Sequence, residues 1–190
     1  MTLNHNAWPY VPDLSNGYTP LIFQHLSLDN DGTTRDMNVD GSVTPQNFEF
    51  GVAAGQIAVL ESFGFELQDA KGFGLNEFGN LGAALTNGLL IQMVESDGTL
   101  LADFTQGEPI TTNAEMYQYS MRVGLEEWGA GDDMLHGRIT FDAVTGSSLV
   151  VSNGYKFRVV VQDNLTGLTK FHMYVGGYYG VGINGRSGRK

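Results

Sequence analysis

The stretch Leu89–Phe104, LLIQMVESDGTLLADF, sets the fold class. Two apolar runs, Leu89–Val94 and Thr99–Phe104, flank Glu95-Ser96-Asp97-Gly98. An Asp-Gly step between such runs is the strongest hairpin signal in the chain, because tight hairpin turns need residues that tolerate positive φ. The same pattern recurs on both sides. Asn47–Ala53 (NFEFGVA) sets Phe48 and Phe50 between polar neighbours, the period-2 alternation of a sheet with one wet face. Gln56–Leu67 (QIAVLESFGFEL) places Ile57, Val59, Phe63, Phe65 and Leu67 at alternate positions, which predicts one strand with these five on one face. Met116–Val123 (MYQYSMRV), Met134–Phe141, Ser148–Ser152, Tyr155–Gln162 (YKFRVVVQ) and Thr169–Val175 (TKFHMYV) read as further strands, and Leu21–Leu28 (LIFQHLSL) as a mixed one.

No stretch sustains a helical period for ten residues, and a parallel α/β fold would require crossover helices. Strands without helices between them predict an all-β antiparallel sandwich, and loops of very unequal length favour a Greek-key or jelly-roll connection. Residues 1–19, broken by Pro9 and Pro12, read as an extended N-terminal arm. Residues 20–180 form the sandwich and 181–190 a basic C-terminal tail. The glycine-rich stretches GFGLNEFGNLG and GGYYGVGING read as loops, the first with one short helical turn around Leu81–Leu85.

Composition supports this reading and excludes several functions. In 190 residues there are 26 glycines, about twice the usual share, and 16% charged residues, fewer than an average globular chain carries. The formal net charge of −11 argues against a sequence-independent nucleic-acid binder. No apolar run is long enough to span a bilayer as a helix. The first twenty residues lack the charged start and apolar core of a signal peptide. With no cysteine, there is neither a disulfide frame nor a thiolate nucleophile. The charge is segregated: residues 1–121 carry fifteen acidic and two basic side chains, residues 122–190 six acidic and eight basic. Three of the basic groups, Arg186, Arg189 and Lys190, fall in the last five residues, which suggests head-to-tail complementarity between copies beside the simpler reading of solvated acidic loops.

Motifs that carry chemistry are sparse. Asp29, Asp31, Asp36 and Asp40 lie close together on a glycine-bent loop and offer oxygen ligands for Ca²⁺, although the spacing departs from an EF-hand and Asp is also a default turn residue. His25, His136 and His172 each alternate with apolar residues in a strand, which reads as structural or surface histidine. Neither HExxH nor GxSxG occurs, and the glycine-rich loops have no Walker lysine. Carboxylates are so numerous that no glycosidase pair stands out. Trp8 and Tyr10, two large aromatics in a coil-like arm, are expected to dock on a surface. Phe73, Phe78, Tyr178 and Tyr179 lie in the glycine-rich stretches, where they anchor the loops to the core or stack on sugar rings.

LTNGLLIQMVESDG at Leu85–Gly98, MYQYSMRVG at Met116–Gly124 and VVVQDNLTGLTKFHMYVGGY at Val159–Tyr178 resemble small virion proteins of tailed phages, the jelly-roll head-decoration or cement proteins. The resemblance spans roughly residues 45–178 and consists of strand-and-turn phrases, with no catalytic residues to carry over. It implies a non-enzymatic protein on the capsid surface of a virion. Its expected partners are the major capsid protein and copies of itself, commonly as a trimer, with no nucleic acid, membrane or cofactor beyond the Ca²⁺ considered above. Trp8 and Tyr10 in the arm and Arg186, Arg189 and Lys190 at the end are the expected inter-subunit contacts. The competing expectation is a carbohydrate- or receptor-binding β-sandwich of a tail fibre or secreted enzyme, using loop tyrosines.

Overall fold

The computed structural model describes residues 19–32, 36–69, 74–118, 122–128, 132–140 and 148–181. Along them run β1 (Thr19–His25), β2 (Ser27–Leu28), β3 (Gln46–Gly51), β4 (Gln56–Asp69), β5 (Leu89–Glu95) and β6 (Leu100–Asp103). A six-residue helix, α1 (Asn113–Gln118), precedes β7 (Arg122–Trp128), β8 (Asp132–Thr140), β9 (Leu149–Ser152), β10 (Tyr155–Val161) and β11 (Phe171–Val181). β1 opens at Thr19 and β11 closes at Val181, one residue outside the expected span 20–180 at each end, and the rest of the expected arm and tail lies outside the described residues.

The strands form two antiparallel sheets, so the fold is an all-β sandwich, as the alternating pattern requires. One sheet has the order β1-β11-β4-β8-β7, with β9 also paired to β4; the other has the order β2-β3-β10-β5-β6. The pairs β1·β11, β3·β10, β4·β8 and β5·β6 join early strands to late ones in reverse order of the chain. Between the sheets lies one apolar core. Phe48, Phe50, Ile91, Phe157, Val159 and Val161 of the second sheet meet Leu60, Phe63, Phe65, Phe171, Met173 and Val175 of the first. The Phe63 and Phe157 rings, 5.3 Å apart between centroids, cross that boundary. Each fully buried aromatic or aliphatic side chain contributes about 1.5–3 kcal/mol, so this core is the main stabilising feature.

The hairpin at Leu89–Phe104 forms with a three-residue loop. Gly98 N donates to Glu95 O at 2.9 Å and Glu95 N donates to Thr99 O at 2.9 Å. Gly98 sits at φ 92, the left-handed position such loops reserve for glycine, and Asp97 Oδ1 accepts Thr99 N at 2.9 Å.

Four local expectations need correction. Leu21–Leu28 is not one strand: the chain breaks at the fully buried Leu26 and passes from the first sheet (β1) to the second (β2). In β4 the phase reverses. Gly176 pairs with Ser62 but Gly177 pairs with Leu60, leaving Glu61 as an extra, exposed residue. Ala58 and Leu60 therefore join the main core before the bulge, and Phe63, Phe65 and Leu67 after it, whereas Ile57 and Val59 are buried on the other face. Met116–Gln118 is helical rather than extended. Thr112 Oγ1 accepts Glu115 N at 3.2 Å, and Glu115 Oε2 accepts Thr112 N at 3.0 Å, a reciprocal cap written as T-N-A-E in the sequence. Finally, Gly176–Val181 is not loop but the second half of β11. Gly177, at φ 152, passes so close to β4 that a Cβ there would lie 2.0 Å from Val59 O, so glycine permits the strand instead of ending it. The short helical turn of the first glycine-rich stretch is a 3₁₀ turn at Gly79–Leu81.

Candidate functional site

The sequence-predicted ligand set does not converge. Asp29 and Asn30 occupy the turn after β2 at φ 49 and 59, where Asp29 N donates to Asn47 O at 2.7 Å and Asp31 N to Leu28 O at 3.0 Å. Asp36 Oδ1 accepts Phe171 N at 3.3 Å, tying its loop to β11. Asp40 Oδ1 accepts both Oγ (2.6 Å) and N (3.0 Å) of Ser42, and these bonds hold its exposed carboxyl below the ordinary carboxylate value. Asp36 and Asp40 thus hold separate turns, and among the described residues no group of three or more His, Asp or Glu side chains is placed to hold a metal ion. Trp8, Tyr10, Arg186, Arg189 and Lys190 lie outside the described residues, as does Phe73. Phe78 is fully buried against Phe171, with centroids 5.5 Å apart, so it anchors its loop and is closed to any ligand. Tyr178 and Tyr179 are half-buried in β11.

Two other arrangements emerge from the pairing. The first is a row of ionisable side chains on the outer face of the first sheet. Register places His25 opposite Tyr174, His172 opposite Glu66, and Glu66 opposite His136. Three of the chain's four histidines thus fall in one row on three strands, with His136 and His172 flanking the Glu66 carboxylate and His25 beyond His172. The His25 and His172 rings meet edge to face at 5.1 Å, and Lys170 Nζ lies 2.8 Å from Glu66 Oε2. Burial pushes the Glu66 carboxyl up, but the Lys170 hydrogen bond and charge, aided by His136 and His172, outweigh it and hold the carboxyl below its ordinary value. Burial also raises the Tyr174 phenol, as does the Glu66 charge, against the opposing Arg138. Tyr174 fits there because residue 64 is glycine: a Cβ at that position would come within 2.5 Å of Tyr174 Cζ. His172 stands 3.9 Å from Asp36 Oδ2 and 4.0 Å from Glu66 Oε2. Those distances exceed hydrogen bonding, so protonated His172 would pair with both charges without forming a hydrogen-bonded relay.

The second arrangement is a groove. β2 pairs with Phe48 and Glu49 of β3, and past it the Asn30 side chain takes over the edge at Gly51. An open depression of about 280 Å³ lies there, lined by Gln24 and His25 of β1, Ser27, Asn30 and Gly32 around the turn, Glu49–Val52, Gln56 and Tyr179. Its polar groups are held in place. Asn30 Oδ1 accepts Gly51 N at 3.1 Å, Ser27 Oγ accepts Gly32 N at 2.9 Å, and Gln56 Oε1 accepts Ala53 N at 3.3 Å. The buried Glu49 carboxylate is neutralised by Lys156 Nζ at 2.5 Å. His25 belongs to both arrangements.

Comparison of the chain with protein-family models, with curated protein sequences and with solved structures finds no match. Sequence reasoning missed both arrangements because their members meet only through strand register. The helix cap at Thr112–Glu115, by contrast, carried a legible signal.

Proposed function

We propose that the protein is a non-enzymatic structural component of a virion, a jelly-roll decoration or cement protein that sits on the capsid surface and bridges capsid subunits. The strand order supports the jelly-roll reading: early and late strands pair as one long antiparallel ribbon wound across two sheets, an architecture common in capsid domains. The observation that carries the assembly role is the edge strand β6, which among the described residues pairs only with β5. Leu100 and Leu101 are 51% and 47% exposed there, and Leu101 is the extra residue of a bulge opposite Met93 and Val94. A monomeric sandwich usually protects such an edge with lysine or proline, because unpaired backbone beside apolar side chains is a template for association. Here no basic residue occurs between Lys71 and Arg122, and the acidic Asp97, Asp103 and Glu108 flank the leucines. An apolar edge with an acidic rim suits a basic segment of a neighbouring subunit, such as residues 182–190 of another copy with Arg186, Arg189 and Lys190. The arm with Trp8 and Tyr10 would extend the same contact.

The test is compositional. Particles purified from cells that express the gene should contain this chain at a copy number stoichiometric with the major capsid protein, measured by quantitative mass spectrometry. Deleting the gene should lower the temperature at which the particles release DNA, and deleting residues 1–19 should weaken binding to such particles. Particles that lack the chain, or keep full heat resistance without it, refute the reading.

A further inference from the structure

We infer that the groove between the ends of β1 and β3 binds a neutral sugar ring, the pyranose of a free saccharide or of a glycan end. This goes beyond the assembly role and needs no partner chain.

Three observations carry it. The first is polar preorganisation. Asn30 and Gln56 each use the amide oxygen to hold a backbone N–H, at 3.1 and 3.3 Å, which directs the amide nitrogens away from those bonds as fixed donors. Gln24 does the reverse: its Nε2 reaches His25 O at 3.4 Å, leaving the amide oxygen as an acceptor. A ring of hydroxyls needs such a mixture of donors and acceptors at fixed positions. The second is charge. The carboxylate in the wall, Glu49, is already paired with Lys156 at 2.5 Å, so the groove offers a charged ligand no free counter-charge there. The third is the mixed wall. Tyr179 and His25 are half-buried rings beside Phe50 and Val52, giving apolar surface for the C–H face of a sugar, while Gly32 and Gly51 allow backbone to approach it. At Gly51 a Cβ would lie 3.0 Å from Asn30 Nδ2, so a side chain there would displace one of the donors.

The full-length chain, labelled with ¹⁵N, should be titrated with the methyl glycosides of glucose, galactose, mannose and N-acetylglucosamine, and applied separately to an array of neutral and charged glycans. The expected result is a saturable shift for at least one neutral probe, centred on Asn30, Gly51 and Gln56. Array binding with the same sugar would indicate a glycan end as the ligand, and titration alone a free saccharide. Gln56→Ala should weaken binding about tenfold while the remaining spectrum stays native. Asn30→Gly, which preserves the positive-φ turn, is the second variant and should also weaken binding. Overturning results are no saturable shift with any neutral probe in either format, binding confined to sulfated or sialylated glycans, or affinity unchanged in both Gln56→Ala and Asn30→Gly.

Discussion

Removing the Asp163 carboxylate should destabilise the sandwich more than any other single polar substitution, and the structure gives the size of the loss. Asp163 follows β10, is 8% exposed, and accepts three backbone N–H groups from one loop. Oδ1 takes Thr86 N at 2.9 Å, and Oδ2 takes Asn87 N at 2.9 Å and Gly88 N at 2.6 Å. Its own carbonyl accepts Gly41 N at 2.9 Å, so the residue ties two loops to the end of a core strand. In Asp163→Ala the three donors lose their acceptor. Thr86 and Asn87 are exposed, so their N–H groups can turn to water at a net cost of about 1 kcal/mol each. Gly88 is buried, and stranding its N–H costs about 1–3 kcal/mol. The sum is about 3–5 kcal/mol, a fall in Tm of about 10 °C for a domain of this size. Asp163→Asn keeps an amide oxygen for Asn87 and Gly88 but turns an NH₂ toward Thr86 N, so it should cost about half as much. Urea unfolding at neutral pH gives both values, and hydrogen exchange should show the Gly88 amide losing protection first. A loss below about 1 kcal/mol in Asp163→Ala would mean that residues 86–88 relax freely and that the carboxylate anchors nothing.

Three further outcomes are expected. Deleting Glu61 should abolish folding, since it removes the bulge that puts Leu60 and Phe63 on the same side, while Glu61→Ala should stay within about 0.5 kcal/mol of the parent; thermal melts of the two variants check this, and a stable deletion variant would remove the bulge argument. Gly137→Ala should cost about 2–3 kcal/mol in urea unfolding, because the added Cβ would lie 2.0 Å from Phe65 Cε1 in the core. Glu66 has a folded-state pKa below its unfolded one, so its stabilisation is present above the unfolded value and is lost as pH falls through the folded value. Lys170→Met should raise the Glu66 pKa read by carbon NMR and flatten the acid limb of the stability curve; an unmoved Glu66 titration would show that Lys170 is not the source.

The sheets were legible because half-buried strands record their own face. Phe48 and Phe50 in β3, and Phe157, Val159 and Val161 in β10, alternate in sequence and all enter the core. Where legibility failed, a non-local contact or local cap competed with alternation. The phase of β4 reverses at Glu61 because β11 crosses it with a compensating Gly177, and nothing within β4 itself records that partner. The run Met116–Gln118 alternates as a strand would, yet Thr112 and Glu115 cap its N-terminal side as a helix, and that local cap prevails. GGYYGV looks like a loop because glycine is abundant in it; in β11 glycine is what lets two backbones approach.

The outer face of the first sheet could not be read from sequence for a stricter reason. His25, Glu66, His136 and His172 are brought together by three separate strand pairings, and a one-residue slip in any of them would turn the corresponding side chain into the core. Each histidine taken alone is an ordinary polar residue on a wet face. Only the combined registers set His136 and His172 on either side of Glu66 and His25 against His172. The same registers place His25 at the wall of the groove, with its ring against His172 and 6.1 Å from Tyr174. A change in the charge of the row therefore acts on a side chain that lines the groove. Lys170 pairs with Glu66 here and Arg138 acts on the neighbouring Tyr174, so the row holds charges of both signs, whereas the β6 edge holds Asp97, Asp103 and Glu108 with no basic residue between Lys71 and Arg122. The row and the β6 edge thus differ in charge pattern, a local contrast that the net charge of −11 conceals.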